Sequence, residues 1–447
     1  MRRLGVVLLA VHLATAARPP AAADASPSVF SATDTLTVEA AMALARHRAP
    51  AIVAADLDQQ AAAFESSAVA RNRRPDLAFV GRALVAPKGF YDPTITNLGE
   101  YEAKVVLGMA LLDGGLRARA RARGALDLAS ARLQAALQAR DVGLEAADLA
   151  INLLRLHEVE SGQRRSVEWV DRLSLLMRGA VRAGVRSTTD SVRIALERNS
   201  AAAALERTLF DRRTAEIDLL ALLGLGSDSS VVILPPEFPD RAPTVEDSLR
   251  VLASVARQPE VALARIAEER GRLDVIEAKR TTSPTVDLSL DAGLEGADLT
   301  SAVPGDLKAV DPDATLADRI RRDLGASATI NLRAPLKTAG ARQTTQAKAI
   351  ALRAAALRSG SAAIVQQKTA LTIIVRWRSA FSRLETAREA SVGAEQNLLR
   401  VKSLYSGGAI QLLDLLDARR VYQDALERLS EARQESRSAQ IRAEDRP

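Results

Sequence analysis

The sequence predicts a mainly α chain with a smaller β component: duplicated long coiled-coil helical hairpins accompanied by four amphipathic strands. Three observations predict it. The chain repeats itself, two long proline-free stretches carry helical periodicity, and between the helices lie segments in which apolar and polar residues alternate. Thr37-Val38-Glu39, an amphipathic run and Pro50 return as Thr244-Val245-Glu246, a similar run and Pro259. Later, Gly184-Val185-Arg186-Ser187-Thr188-Thr189-Asp190 returns as Gly408-Ala409-Ile410-Gln411-Leu412-Leu413-Asp414. A period of roughly 200 to 225 residues is too long for a solenoid module, so the unit is a duplicated half-protein.

In chain order, residues 1–25 read as a secretory signal: Arg2 and Arg3, an apolar stretch from Leu4 to Ala17, then Ala23-Asp24-Ala25 as a small-x-small cleavage site. The first structural repeat is assigned to 26–226 and opens with a helical run over 37–72. A strand pair follows near 76–112. Leu77, Phe79, Gly81, Ala83 and Val85 share one face of its first strand. Tyr101, Ala103, Val105, Leu107, Met109 and Leu111 share one face of the second, opposite Glu102 and Lys104. From 115 to about 183 alanine and leucine are frequent, and charges of both signs recur every turn. At about 1.5 Å per residue such a rod reaches about 100 Å, which no ordinary globular core accommodates, so it must pack along a neighbour as coiled coil. A turn near 184–190 leads into a helix over 187–223, stopped at Gly224-Leu225-Gly226.

Residues 227–243 form an inter-repeat linker, and 244–447 is the second repeat. It holds a helical run over 244–280 and a strand pair near 284–336, where Asp287, Ser289 and Asp291 alternate with Val286, Leu288 and Leu290. Ser327, Thr329, Asn331 and Arg333 likewise alternate with Ala328, Ile330, Leu332 and Ala334. The long helix returns over 341–405, then a turn near 408–414 and a helix over 411–443.

Composition excludes several classes of function. Cysteine is absent, which removes disulfides, thiolate metal sites, a cysteine nucleophile and an acylated N-terminal cysteine. The formal charge is +6; loss of residues 1–25 removes Arg2, Arg3, Arg18 and Asp24, leaving +4, too weak a balance to argue for nucleic acid. After the leader no stretch of about 18 apolar residues offers a transmembrane helix. His47 and His157 lack metal-ligand spacing, and there is no phosphate loop and no nucleophile and base pair. No enzyme, cofactor or metal centre is expected. The arginines at 117, 119, 121 and 123 alternate with small residues and spread around the start of the long helix, which favours solvated or intersubunit roles over a tunnel lining.

Four strands of about ten residues have the length needed to cross an outer membrane when tilted. Four cannot close a barrel, and lipid tolerates no open sheet edge, so closure must come from several chains. A small soluble sheet packed on helices is the other reading of the same pattern, but hardly any amphipathic segment is left to cover it.

The order helix, strand pair, long helix, glycine turn, helix, written twice behind a leader, resembles the TolC family of outer-membrane efflux proteins. Leu111-Leu112-Asp113-Gly114-Gly115 is similar to that family's Leu-Phe-Asp-Gly-Gly join between barrel and helix. Gly184 to Asp190 and Gly408 to Asp414 are similar to its two hairpin turns, and Leu412-Leu413-Asp414-Leu415-Leu416-Asp417-Ala418 matches the second especially closely. The resemblance covers essentially the whole mature chain. It implies a homotrimer in the outer membrane of a Gram-negative bacterium. Four strands from each chain would make a 12-stranded β-barrel, continued by a helical α-barrel across the periplasm. A periplasmic adaptor and an inner-membrane pump would be its partners in efflux or type I secretion. The duct itself conducts passively.

The resemblance also assigns residues. Asp113, Gly114, Gly115 and Gly340 would be barrel–helix joints. Gly184 and Gly408 would be the adaptor-docking tip turns. Asp190, Tyr405, Asp414 and Asp417 would form the periplasmic aperture, with Asp190 reaching Tyr405 of a neighbouring hairpin and the two later aspartates making carboxylate rings on the lumen. Local chemistry offers each a plainer role. Both glycines suit helix stops, Ser187 to Asp190 fits a capping box, and Asp414 and Asp417 sit where a helix dipole favours acids. Two departures are visible. The second join reads Leu336-Lys337-Thr338-Ala339-Gly340, and no aromatic residue occurs from Ser283 to Leu336, leaving Phe79, Phe90, Tyr91 and Tyr101 as the girdle. Ile410 stands where, by the same resemblance, some relatives carry a basic residue of the gating network. A periplasmic coiled-coil adaptor or structural protein is the competing reading. An adaptor needs one main hairpin with lipoyl-like halves rather than two hairpins and paired strands. The exported cargo is not legible, and small-molecule efflux is the default.

Overall fold

A computed structural model of the chain describes residues 34–71, 75–84, 100–226, 229–236, 239–280, 283–297, 302–303, 305–335 and 339–446. The leader at 1–25, Val85, Phe90 and Tyr91 of the expected strand region and Leu336 to Thr338 of the second join lie outside the described residues. The first half runs β1 (Asp34–Leu36), α1 (Val38–Arg48), α2 (Pro50–Arg71), β2 (Asp76–Leu84), β3 (Glu100–Leu112), α3 (Leu116–Arg182), α4 (Thr188–Leu222) and β4 (Val231–Ile233). The second runs α5 (Val245–Ala253), a 3-10 turn (Ser254–Arg257), α6 (Pro259–Lys279), β5 (Thr285–Ala297), α7 (Gly305–Val310), α8 (Leu316–Asp323), β6 (Leu324–Arg333), α9 (Ala341–Ser406) and α10 (Leu412–Glu444).

The repeated Thr-Val-Glu does the same work twice. Thr37 Oγ1 accepts the Ala40 amide at 3.1 Å and Thr244 Oγ1 accepts the Asp247 amide at 3.1 Å, each capping a helix. Both helical runs then break at the repeated prolines, where the sequence pattern alone suggested continuous helices. Proline bars helical backbone at the residue before it but suits the first position of a new helix, so Pro50 and Pro259 each start one.

Along each long helix two main partners succeed one another, and α3 is packed by α1, α6 and α10 as well. The N-terminal part of α3 lies against α2, close enough that a Cβ on Gly124 would sit 3.4 Å from Ser66 Cα, and the remainder pairs with α4. α9 repeats this with α6 and then α10, Gly271 facing Leu352. Midway, Ala45, Ile52, Val142, Ala146, Leu153, Ala215 and Leu219 make one buried cluster. Val38, Ala41, Met42, Ala147, Ala150, Ile151 and Ile441 make the next. Small residues along α3 let α1 lie close, and an ion pair from Arg46 to Asp445 ties the chain's end to its start.

The segment after β4 is held by ion pairs to distant helices. Asp240 meets Arg388 at 3.0 Å and Arg437 at 3.1 Å. Arg241 pairs with Asp247, stacks over the fully buried Trp377 at 5.1 Å, and lends its carbonyl to the indole N–H at 3.1 Å. The Arg241 guanidinium holds the Asp247 carboxyl far below the usual carboxylate range. β1 and β4 pair in parallel, and β2-β3-β5-β6 form a separate antiparallel sheet in that order.

Candidate functional site: strand face, joins and hairpin tips

The register of the four-stranded sheet gives it one wholly uncharged face, while the other mixes charged residues with Val80, Leu84 and Val106. Leu77, Phe79, Gly81 and Ala83 of β2 stand opposite Leu107, Val105, Ala103 and Tyr101 of β3. Those β3 positions in turn stand opposite Leu290, Ala292, Leu294 and Gly296 of β5, and the row continues through Leu324, Ala326, Ala328, Ile330 and Leu332 of β6. No charged residue interrupts this face. The other face carries Arg82, Glu102, Lys104, Asp287, Asp291, Glu295, Asn331 and Arg333. Lys104 pairs there with Glu295 and, at 3.3 Å, with Glu102. Phe79 and Leu77 are more than 70% exposed, and every residue of β2 and β6 is exposed, so within one chain these two outer strands are covered on neither face.

At the end of the sheet where α3 begins, Asp113, Gly114 and Gly115 turn the chain. Both glycines have left-handed backbone, φ 58° and 81°. A Cβ on Gly114 would fall 2.8 Å from Ser283 Cβ. The Asp113 carboxylate accepts the Gly115 amide at 2.9 Å and the Arg117 amide at 2.9 Å. The Arg117 amide, with that of Gly115, holds the Asp113 carboxyl below its usual range despite partial burial. Arg119 donates to the Gly114 carbonyl at 2.8 Å and Arg280 at 3.2 Å, while Arg123 pairs with Asp274 and, at 3.0 Å, with Glu277 of α6. The arginine run therefore fastens the join within one chain rather than lying free in solvent. At the second join Gly340 is also left-handed, φ 76°, but has no side-chain cap and nothing near its missing Cβ.

The far ends of the hairpins meet. Val170, Leu173 and Met177 of α3, Ile194 of α4 and Leu412 of α10 form one buried cluster, with Tyr405 packed against it. Gly184 and Gly408 reverse the two hairpins with φ 72° and 71°, and a Cβ on either would meet nothing within 4 Å. The expected capping box at Ser187 to Asp190 is replaced by a shorter bond. Ser187 Oγ accepts the Thr189 amide at 3.1 Å, and the Asp190 carboxylate caps nothing. Nor does Asp190 reach Tyr405 within the chain; the Arg186 guanidinium lies over that ring instead, 5.1 Å from its centre. The second tip is different: Asp414 accepts the Gln411 amide at 3.0 Å, a cap at its own helix start. Asp414 and Asp417 are both exposed, on the side away from buried Leu412, Leu415 and Ala418.

The sequence reading missed one cluster. Between β5 and β6, α8 is capped by Thr315 and Asp318, and its Arg319 and Asp323 bind Tyr101 of β3. The Thr-x-x-Asp spacing was the available signal. Among the described residues, no helix is long and apolar enough to cross a membrane, and no group of three or more His, Asp or Glu could hold a metal ion.

No family model and no curated protein matches the sequence. Solved structures do match across nearly the whole chain. The outer membrane protein VceC of Vibrio cholerae is 16% identical with a TM-score of 0.74, covering 91% of this chain and 95% of that one. The CmeC outer membrane channel of Campylobacter jejuni is 14% identical with a TM-score of 0.68, covering 91% of this chain and 85% of its own. The MtrE outer membrane channel of Neisseria gonorrhoeae, in its open state, is 18% identical with a TM-score of 0.62, covering 92% and 88%. At such identities the likeness establishes architecture, and this chain has the TolC-like fold of these outer-membrane channels.

Proposed function

We propose that this chain is one third of an outer-membrane channel. The observation that carries the reading is the uninterrupted uncharged face running across all four strands of a sheet whose outer strands, β2 and β6, have no partner on their free sides among the described residues. Three such sheets joined edge to edge give a 12-stranded barrel, apolar toward lipid and polar toward a water-filled lumen. Strands of 9 to 13 residues have the length to cross the hydrocarbon layer when tilted. The helical hairpins then continue the lumen as a periplasmic tunnel. A periplasmic adaptor docks around the Gly184 and Gly408 turns, and an inner-membrane pump supplies the energy. The channel conducts passively, and Asp190, Tyr405, Asp414 and Asp417 stand at its far aperture.

The absence of cysteine makes the test direct. A cysteine pair placed on β2 and β6, such as Phe79→Cys with Ala328→Cys, crosslinks only between chains if the barrel closes in this order. Native mass measurement in detergent is expected to give a trimer that conducts ions in planar bilayers. A monodisperse, detergent-independent monomer would remove the proposal.

A further inference from the structure

The segment between β5 and β6 belongs to neither the hairpins nor the sheet. α8 is pinned at the end of the sheet farthest from the joins. Arg319 and Asp323, one turn apart on one stripe of this helix, are each only 7% exposed. The Asp323 carboxylate accepts hydrogen bonds from the Tyr101 hydroxyl and, at 3.2 Å, from Arg319 Nε. Arg319 also lies 5.1 Å above the Tyr101 ring and donates to the Ala302 carbonyl at 3.3 Å. Gly296 makes room for this clasp: a Cβ there would come within 2.7 Å of the phenol oxygen and 2.6 Å of Asp323 Oδ2. Tyr101 and Gly296 belong to the apolar face of the sheet, so α8 sits on that face.

The neighbouring stripe of α8 is apolar and open. Leu316 and Ile320, again one turn apart, are 54% and 45% exposed, while Asp318 and Arg321 point to the other side. Charged residues closed against the protein beside aliphatic ones left open suit a boundary between lipid and water. The position has a vacancy for such a device, because no aromatic residue occurs from Ser283 to Leu336 to mark the rim of β5 and β6.

We propose that α8 is a membrane-surface anchor. Leu316 and Ile320 enter the acyl boundary at the far rim of the barrel, Asp318 and Arg321 stay among the lipid headgroups, and the helix gives β5 and β6 the interfacial hold that aromatic girdles give elsewhere. The occupant of its open stripe is lipid, selected by continuity with the apolar sheet face rather than by charge, since Asp311 and Asp313 offset Lys308 and Arg321. The inference rests on the membrane-barrel reading above, and the experiment separates the two.

Single cysteines at Ile320, at Leu290 in mid-sheet and at Arg358 on α9 are labelled with a bimane fluorophore. The protein is reconstituted in phosphatidylcholine vesicles carrying nitroxide either on the headgroup or at mid-chain. The Ile320→Cys probe is expected to be quenched several-fold more by headgroup nitroxide than by mid-chain nitroxide, the Leu290→Cys probe in the reverse order, and the Arg358→Cys probe by neither. An Ile320 probe as insensitive as that on α9, while the Leu290 probe is still quenched, overturns the anchor and leaves the barrel intact. An unquenched Leu290 probe overturns the barrel, and the anchor with it.

Discussion

The two halves of the chain meet the same two demands with different residues. At the first join a carboxylate, Asp113, caps α3, and of two left-handed glycines Gly114 fits against Ser283 while Gly115 faces Arg119 and Arg280. At the second, Gly340 turns the chain alone. At the tips the assignment is reversed: Asp414 caps α10, whereas Asp190 does nothing comparable for α4 and Ser187 serves instead. Every one of these turns keeps a glycine at positive φ. The difference separates two kinds of constraint. A left-handed backbone has no cheap substitute for glycine, whereas a cap contributes only about 1 kcal/mol and several side chains or water can supply it.

The sharpest way to break this comparison is to place the same side chain at both joins. Gly114→Val combines backbone strain with a clash against Ser283 Cβ. It is expected to cost more than about 3 kcal/mol. Gly340→Val, which meets open space, is expected to cost about 1 to 3 kcal/mol from strain alone. Denaturant midpoints of the assembled protein measure both, and equal losses would show that the first join is no more tightly built than the second.

At the tips the same strain, about 1 to 3 kcal/mol, is expected for Gly184→Val and for Gly408→Val, with no clash at either. Both should impair export and adaptor crosslinking alike. Unchanged efflux in both variants would remove these turns from the docking surface.

A smaller effect tests the caps. Asp113→Ala is expected to cost about 1 kcal/mol near neutral pH. The folded pKa of this carboxyl is depressed, so its contribution is present above the unfolded value of about 4 and is lost as pH falls through the lower folded value. The alanine variant should therefore differ least from the parent in strong acid. A cost that stays constant down to the lowest pH at which the protein folds would assign the loss to packing rather than to the charged cap.

The smallest stability change distinguishes the tips. Asp414→Asn should cost a few tenths of a kcal/mol through weakened interaction with the helix start, and Asp190→Asn almost nothing. Asp414→Asn/Asp417→Asn should nonetheless weaken cation preference, because carboxylates crowded at a narrow aperture repel anions. A reversal potential in a salt gradient matching the parent's would take these residues off the lumen.

Legibility in the sequence followed periodicity and length. α3, α4, α9 and α10 were readable to within a residue or two because long proline-free runs sustain one period. The strands were readable because alternation holds over most of their length, although β3 shifts register between Ala110 and Leu112. The pairing of β1 with β4 was not, since three residues hold no period. The contacts of Asp240 with Arg388 and of Arg241 with Trp377 join positions more than a hundred residues apart, a distance at which single-sequence patterns carry no information. The glycines of the joins and tips were legible as turns, but the partners of Tyr405 were not. The resemblance suggested Asp190 reaching Tyr405 on the neighbouring hairpin, and packing within the chain places Arg186 on that ring.

The unpartnered flanks of β2 and β6 carry a consequence for biogenesis. The hairpins are built mostly from neighbours in sequence and gain their contacts as soon as a chain collapses. In the proposed trimer the sheet would gain its last hydrogen bonds only on meeting other copies, so its completion would depend on concentration. Until then each chain presents two adhesive margins and an oily surface to water, the arrangement that promotes wrong pairings. For a chain that assembles as proposed, the vulnerable period is the wait between folding and assembly, and factors that shorten or shield that wait are expected to govern its yield more than the stability of any one helix.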